Sequence, residues 1–216
     1  MEALNKKILF LGLLWLSTLT LQAQSKKEAF ETICALKRGI LIVLVETKQN
    51  KIEALENAKV QRPKDQSIDA ALIELRERKV KESNELRKAF DSVYQFSEVL
   101  FAPDSVLKHI HEKAPIAFYN EKWELEPRSL DGKPYFFFYR GKTQTIGMEA
   151  YIIGDSLGKD LKAPFPYYVK QSNTTNSFLN FFDKFKDANR KIEKIVQKLQ
   201  SRLESFYRKV PNDQRA

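Results

Sequence analysis

Eight residues, Gly39 to Glu46 (GILIVLVE), constrain this chain more than any others. From Ile40 to Val45 every side chain is β-branched or aliphatic, with no polar position to face water. A strand solvated on one side alternates, so an unbroken run fits a strand buried on both faces, with helices covering the sheet. Lys37, Arg38, Glu46 and Lys48 bracket it, and it is far shorter than the roughly 20 apolar residues that cross a bilayer. The rest of the chain has to supply the cover.

Before that, the first residues read as an address rather than as fold. Lys6 and Lys7 precede the apolar stretch Ile8 to Leu21, which closes on Gln-Ala-Gln-Ser, the plan of a secretory signal peptide. Cleavage is expected after Ala23, leaving residues 24–216 as one α/β domain with a disordered tail at 211–216. The only cysteine, Cys34, lies well past that cut, so release is expected rather than a lipid anchor. Removing residues 1–23 takes Lys6, Lys7 and Glu2, leaving 35 basic and 27 acidic side chains and a net charge of +8. One cysteine allows no internal disulfide, so stability must come from packing. Between Ile33 and Ala35, Cys34 reads as a small buried hydrophobe.

Taken in order, the pattern predicts an amphipathic helix over Lys26–Lys37, the central strand, a helix from Lys48 to Val60 inward at Ile52 and Leu55, and a longer helix from Ser67 to Val93. Glu74–Arg78 and Glu77–Lys81 are favourable i,i+4 pairs on that helix. Tyr94 to Ala102 reads as a second strand, parallel to the first and beside it. A short helix follows, capped by Asp104 or Ser105, inward at Val106, Leu107 and Ile110, and ended before Pro115. After Pro115 the texture turns to short strands (PIAFYN, YFFFYRGKTQ, MEAYIIGD), expected to extend the sheet antiparallel, with turns at Asp131-Gly132 and Arg140-Gly141-Lys142. Pro164-Phe165-Pro166 forces extended backbone in a connector or at a sheet edge, with either X-Pro bond open to cis. A final helix, capped by Asn176 or Ser177, runs from Phe178 to Lys209 with a heptad-like apolar stripe. The fold class expected is a three-layer-like mixed α/β sheet: parallel central strands, antiparallel C-terminal strands, and long flanking helices that include the C-terminal one.

Chemistry is harder to find. His109-x-His111-Glu112 has metal-binding residue types, but residues two apart on a helix point about 200° away from each other, and no further ligand stands out; no metal and no cofactor are expected. There is no G-x-S-x-G, phosphate loop, G-x-G-x-x-G or C-x-x-C, so nothing supports a nucleophile elbow, a nucleotide cradle or dithiol redox. No catalytic residue is assigned. The basic excess is local: residues 178–209 hold nine basic and four acidic side chains. Nucleic acid is not expected as the partner of an exported chain, whereas an envelope protein or an anionic envelope component is. Membrane-surface association is allowed and an integral span is not.

Two places are therefore candidates. A partner surface would use the aromatics Tyr135, Phe137, Tyr139, Phe165, Tyr167 and Tyr168 together with Arg190, Lys194, Lys198 and Arg202. A small-molecule or hydrolase cleft would lie at the carboxyl ends of the two central strands, at Glu46, Thr47 and Asp104, where open α/β sheets place ligands. In GILIVLVETKQNKIEALENA, KAFDSVYQFSEVLFAPDS and LKAPFPYYVK before a terminal helix, the chain resembles a family of uncharacterised secreted proteins of Bacteroidota-type bacteria. The resemblance implies export across an inner membrane into the periplasm and carries over no activity.

Overall fold

The computed structural model describes residues 25–110, 115–144, 147–171 and 188–215. The segment read as a signal peptide, His111 and Glu112, and the first turns expected of the last helix lie outside them. The elements are α1 (Lys26–Arg38), β1 (Ile40–Val45), α2 (Gln49–Gln61), α3 (Gln66–Val93), β2 (Glu98–Pro103), α4 (Val106–His109), β3 (Ala117–Tyr119), β4 (Leu125–Pro127), β5 (Tyr135–Lys142), β6 (Glu149–Gly154), β7 (Tyr168–Lys170) and α5 (Ala188–Tyr207). A short 3-10 turn follows at Asn212–Gln214.

The apolar run becomes β1, buried at all six positions. It pairs parallel with β2 on one side and parallel with β5 on the other. The five-stranded sheet has the order β2-β1-β5-β6-β7, the last two joints antiparallel. This is the mixed α/β sheet the pattern calls for, with one difference: β5 joins β1 in parallel and is antiparallel only to β6. The reason is the path taken: the separate two-stranded sheet β3-β4 occupies the connection from β2, so the chain re-enters beside β1 from the same end.

Alternation along β1 sorts the core. Leu41, Val43 and Val45 join Phe136 and Phe138 beneath α1, the second half of α3 and α5, through Ile33, Leu36, Leu86, Phe90, Val196, Leu199 and Leu203. Ile40, Ile42 and Leu44 join Phe137 on the other face, covered by Phe118 and by Val106, Leu107 and Ile110 around α4. Five consecutive aromatics are thereby used on both faces of β5. Where the stripe of α3 fails, the helix leaves the sheet: its first half pairs with α2 through Ile52, Ile68 and Leu72. Arg78 turns not to Glu74 but to Glu82, at 3.0 Å, and Val60 is exposed.

Other local readings change for identifiable reasons. Strand β2 begins at Glu98 rather than Tyr94, because Tyr94 ends α3, its N–H donating to Phe90 O at 2.9 Å, and its hydroxyl closes a turn with Ser97 at 2.9 Å. Arg140-Gly141-Lys142 lies inside β5, and the hairpin closes later, where Thr143 N–H donates to Met148 O at 2.9 Å. Asp131 and Gly132 do form a turn, both at positive φ. The Ala163–Pro164 bond is cis. The tail is described through residue 215, where Arg215 donates to Val210 O (2.8 Å) and Arg208 O (2.6 Å), and the buried Cys34 thiol donates to Gln214 O at 3.3 Å.

Candidate functional site

Because β1 leads to β2 on one side and receives β5 on the other, the crevice at the carboxyl ends of β1 and β5 is the topological switch point of the sheet. A cavity of about 230 Å³ opens there. Leu44 and Val45 form its floor, Arg140 of β5 and Tyr151 of β6 one side, Glu82, Ser83, Glu85 and Leu86 of α3 another, and Lys191, Ile192 and Ile195 of α5 a third. Glu46 stands at the rim, with Gln171 just beyond β7.

Arg140 spans the mouth, 3.7 Å from Glu46 and 3.3 Å from Glu149. Burial works against its charge, but the Glu149 hydrogen bond and the Glu46 field outweigh that and raise its pKa. Tyr151 pairs across the strands with Arg140 and stacks on Phe138 at 5.3 Å and 15°. Burial, opposed by Arg140, pushes its phenol up to about 12, so the hydroxyl keeps its proton at any physiological pH. Glu82 is saturated: Lys48 reaches one oxygen and Arg78 the other. Burial opposes its ionisation, but these two hydrogen bonds win and lower its pKa. Ser83 spends its hydroxyl on Lys79 O at 2.8 Å.

The groups left open are few and specific. Gln171 Oε1 is buried and, among the described residues, is the one buried side-chain oxygen or nitrogen without a hydrogen-bond partner. Leaving an acceptor in that state costs about 1–3 kcal/mol. Glu46 is held only at the 3.7 Å of Arg140, and Lys191 makes no ion pair among the described residues. An N–H-bearing ligand would satisfy Gln171 and Glu46, and an anionic group on the same ligand would meet Lys191 and the Tyr151 hydroxyl.

Of the predicted cleft residues, only Glu46 lines this cavity. Thr47 donates its backbone N–H (3.1 Å) and hydroxyl (2.6 Å) to Asp104 Oδ1, while Asp104 N–H donates to Val45 O at 3.0 Å. That pair ties the end of β2 to the β1–α2 link. The cleft was placed between β1 and β2, but β5 rather than β2 supplies its second wall. Arg140, Tyr151, Gln171 and Lys191 were missed; the one signal that could have found them is the sheet order, which a single sequence does not display.

The predicted partner surface is divided between core and exterior. Phe137 and Phe165 are core residues, 0% and 2% exposed. Tyr135 is half-buried against Phe137 at 5.7 Å, and Tyr139 donates its hydroxyl to Asp160, which together with burial raises its pKa. Tyr167 and Tyr168 are half-buried, their rings 4.9 Å apart. Lys194, Lys198 and Arg202 are exposed on α5; the side chain of Arg190 lies outside the described residues. On the opposite face of the sheet a shallow groove of about 750 Å³ runs between α4 and the 128–130 turn. Its charged members are spent: Arg128 is bound to Glu98 at 2.8 Å.

Among the described residues no group of three His, Cys, Asp or Glu could hold a metal ion, and no helix is long and apolar enough to cross a membrane. No family profile, no curated protein and no solved structure matches this chain. Its chemistry is therefore argued from the residues alone.

Proposed function

We propose that the protein is an exported, non-enzymatic binding module of the cell envelope that takes a small zwitterionic molecule of amino-acid size at the carboxyl ends of β1 and β5. The observation that carries this reading is the unpartnered buried acceptor Gln171 Oε1 in a cavity whose other open groups, Glu46, Tyr151 and Lys191, offer one carboxylate, one hydroxyl and one ammonium. Polar groups converging in a partly apolar concavity at a switch point are what orient a small ligand. Export is supported by Lys6, Lys7 and the apolar Ile8 to Leu21 run, and the periplasm is what the family resemblance implies. Binding is preferred to hydrolysis because Glu82 is committed to Lys48 and Arg78, and among the described residues no histidine or cysteine lines the cavity.

The test is thermal denaturation of the full mature chain against the amino acids and small diamines, followed by calorimetric titration of whichever shifts the midpoint. A ligand at a hundredfold excess over its Kd adds about 2.7 kcal/mol. Glu46→Gln and Lys191→Gln should weaken binding about tenfold or more while leaving the fold intact. If no compound shifts the midpoint, and native mass spectrometry of protein drawn from the envelope shows no bound small molecule, the reading fails.

A further inference from the structure

A basic row on α5 remains that the cleft does not use. The helix gives its apolar face to the core through Ile195, Val196, Leu199 and Leu203. At 100° per residue, Lys194, Lys198 and Arg202 fall on one outward strip, successive charges about 6 Å apart along the axis. Lys194 and Lys198 are exposed and make no ion pair among the described residues. Arg202 marks where the strip meets the sheet: it donates to Tyr168 O at 2.6 Å and its guanidinium sits 5.8 Å from the Tyr168 ring centre. Tyr168 belongs to β7, the last strand in the sheet order, and its strand neighbour Lys170 is exposed. Two features that look separate in the sequence, the aromatic Pro164 to Tyr168 segment and the basic helix, are thus joined at one edge of the molecule.

We infer that this edge, formed by Lys194, Lys198, Arg202, Tyr168 and Lys170, docks an acidic polysaccharide. Charge complementarity selects a polyanion. A single row of cations spaced by about one sugar ring, beside a half-buried tyrosine, suits a linear glycan that carries carboxylates on its rings. A lipid surface is disfavoured because the described side chains of α5 leave no apolar face to insert. The outer edge of β7, which pairs with no further strand among the described residues, is also blunted as a site for another strand, since Arg202 occupies the Tyr168 carbonyl.

Affinity electrophoresis of the full mature chain through gels containing polygalacturonate tests this, with neutral dextran gels and phosphatidylglycerol vesicles run in parallel. Retardation by polygalacturonate that weakens as salt rises, with none by dextran, is the expected result. Lys194→Gln/Lys198→Gln should lose about tenfold or more in affinity, as removal of two screened charge contacts implies, and Lys194→Arg/Lys198→Arg should keep it. Both side chains are exposed, so an unchanged melting curve will certify the fold. Equal retardation of the Gln variant and the parent would overturn the inference, as would binding to the vesicles or to single-stranded DNA in preference to polygalacturonate.

Discussion

The two ends of β1 are built on opposite principles. At the amino end a single residue, Gly39, separates α1 from the strand, and the backbones close on it: a Cβ there would lie 2.1 Å from Pro134 O and 2.8 Å from Ala35 O, while Ile40 N–H donates to Pro134 O at 2.9 Å. At the carboxyl end Glu46 to Lys48 carry the chain away, β5 runs on to Lys142, and α3 and α5 stand apart over a cavity of about 230 Å³. One end satisfies its backbone by close approach. The other keeps a buried acceptor without a partner. Strain of that kind persists where the surrounding structure holds it in place, and it tends to collect at functional sites.

The largest effect is expected at the closed end. Gly39→Ala must push apart two backbone carbonyls rather than a flexible side chain, and should destabilise by about 3 kcal/mol, read as a lowered urea midpoint with unchanged slope. Ligand affinity should survive in the fraction that folds. A silent Gly39→Ala would mean the closed end is looser than its distances say. Next comes the tie beside the open end. Asp104→Ala removes both hydrogen bonds from Thr47 and should cost about 2 kcal/mol, because bonds to a charged acceptor carry about 1.5–3 kcal/mol. It should leave ligand affinity unchanged, since Asp104 does not line the cavity. Loss of binding in that variant would return Asp104 to the site.

The closed end was more legible in the sequence than the open one, for a physical reason. Burial on both faces leaves a continuous signature, so Ile40–Val45 could be placed at the heart of a sheet, with its helices and the parallel β2 partner, from local pattern alone. Tyr135 to Tyr139 gave an equally strong signal with two meanings, exposed aromatic face or doubly buried strand; only the pairing of β5 with β1 decides for the second. Residues of the open end come from five elements distant in sequence, and Arg140 and Gln171 sit in segments whose local texture reads as turn. Side chains brought together by sheet order leave no mark on any one stretch. The basic strip of α5 stands between these cases: its helical spacing is local, whereas the Arg202 contact with Tyr168 is not.

A smaller effect of opposite sign distinguishes a binding cavity from a packing defect. Gln171→Leu removes the orphaned acceptor and adds apolar surface at similar volume, so it should stabilise the ligand-free protein by about 1 kcal/mol and abolish the gain from ligand. Destabilisation by Gln171→Leu would show that the amide already serves the fold. No such trade is expected at the closed end, where every substitution for Gly39 should lose stability.

The smallest effect concerns the wall of the cavity and depends on pH. Lys48 and Arg78 hold Glu82 below the ordinary carboxylate pKa against the opposing effect of burial, so on acidification the unfolded chain takes up the proton first. Stability from this contact is therefore complete above the unfolded value of about 4.3 and is lost as pH falls through the lower folded value. The parent's melting temperature should fall more steeply from about pH 5 to about pH 3 than that of Glu82→Gln, which has no carboxylate to titrate. High salt should narrow the difference only in part, because the Arg78 side chain is exposed whereas that of Lys48 is 13% exposed. Gly39→Ala should lower the melting temperature by the same amount across that range, since nothing titratable enters its clash. A shared acid slope in the two variants would mean that the Glu82 contacts add no pH-dependent stability and that the contrast between the two ends is geometric only.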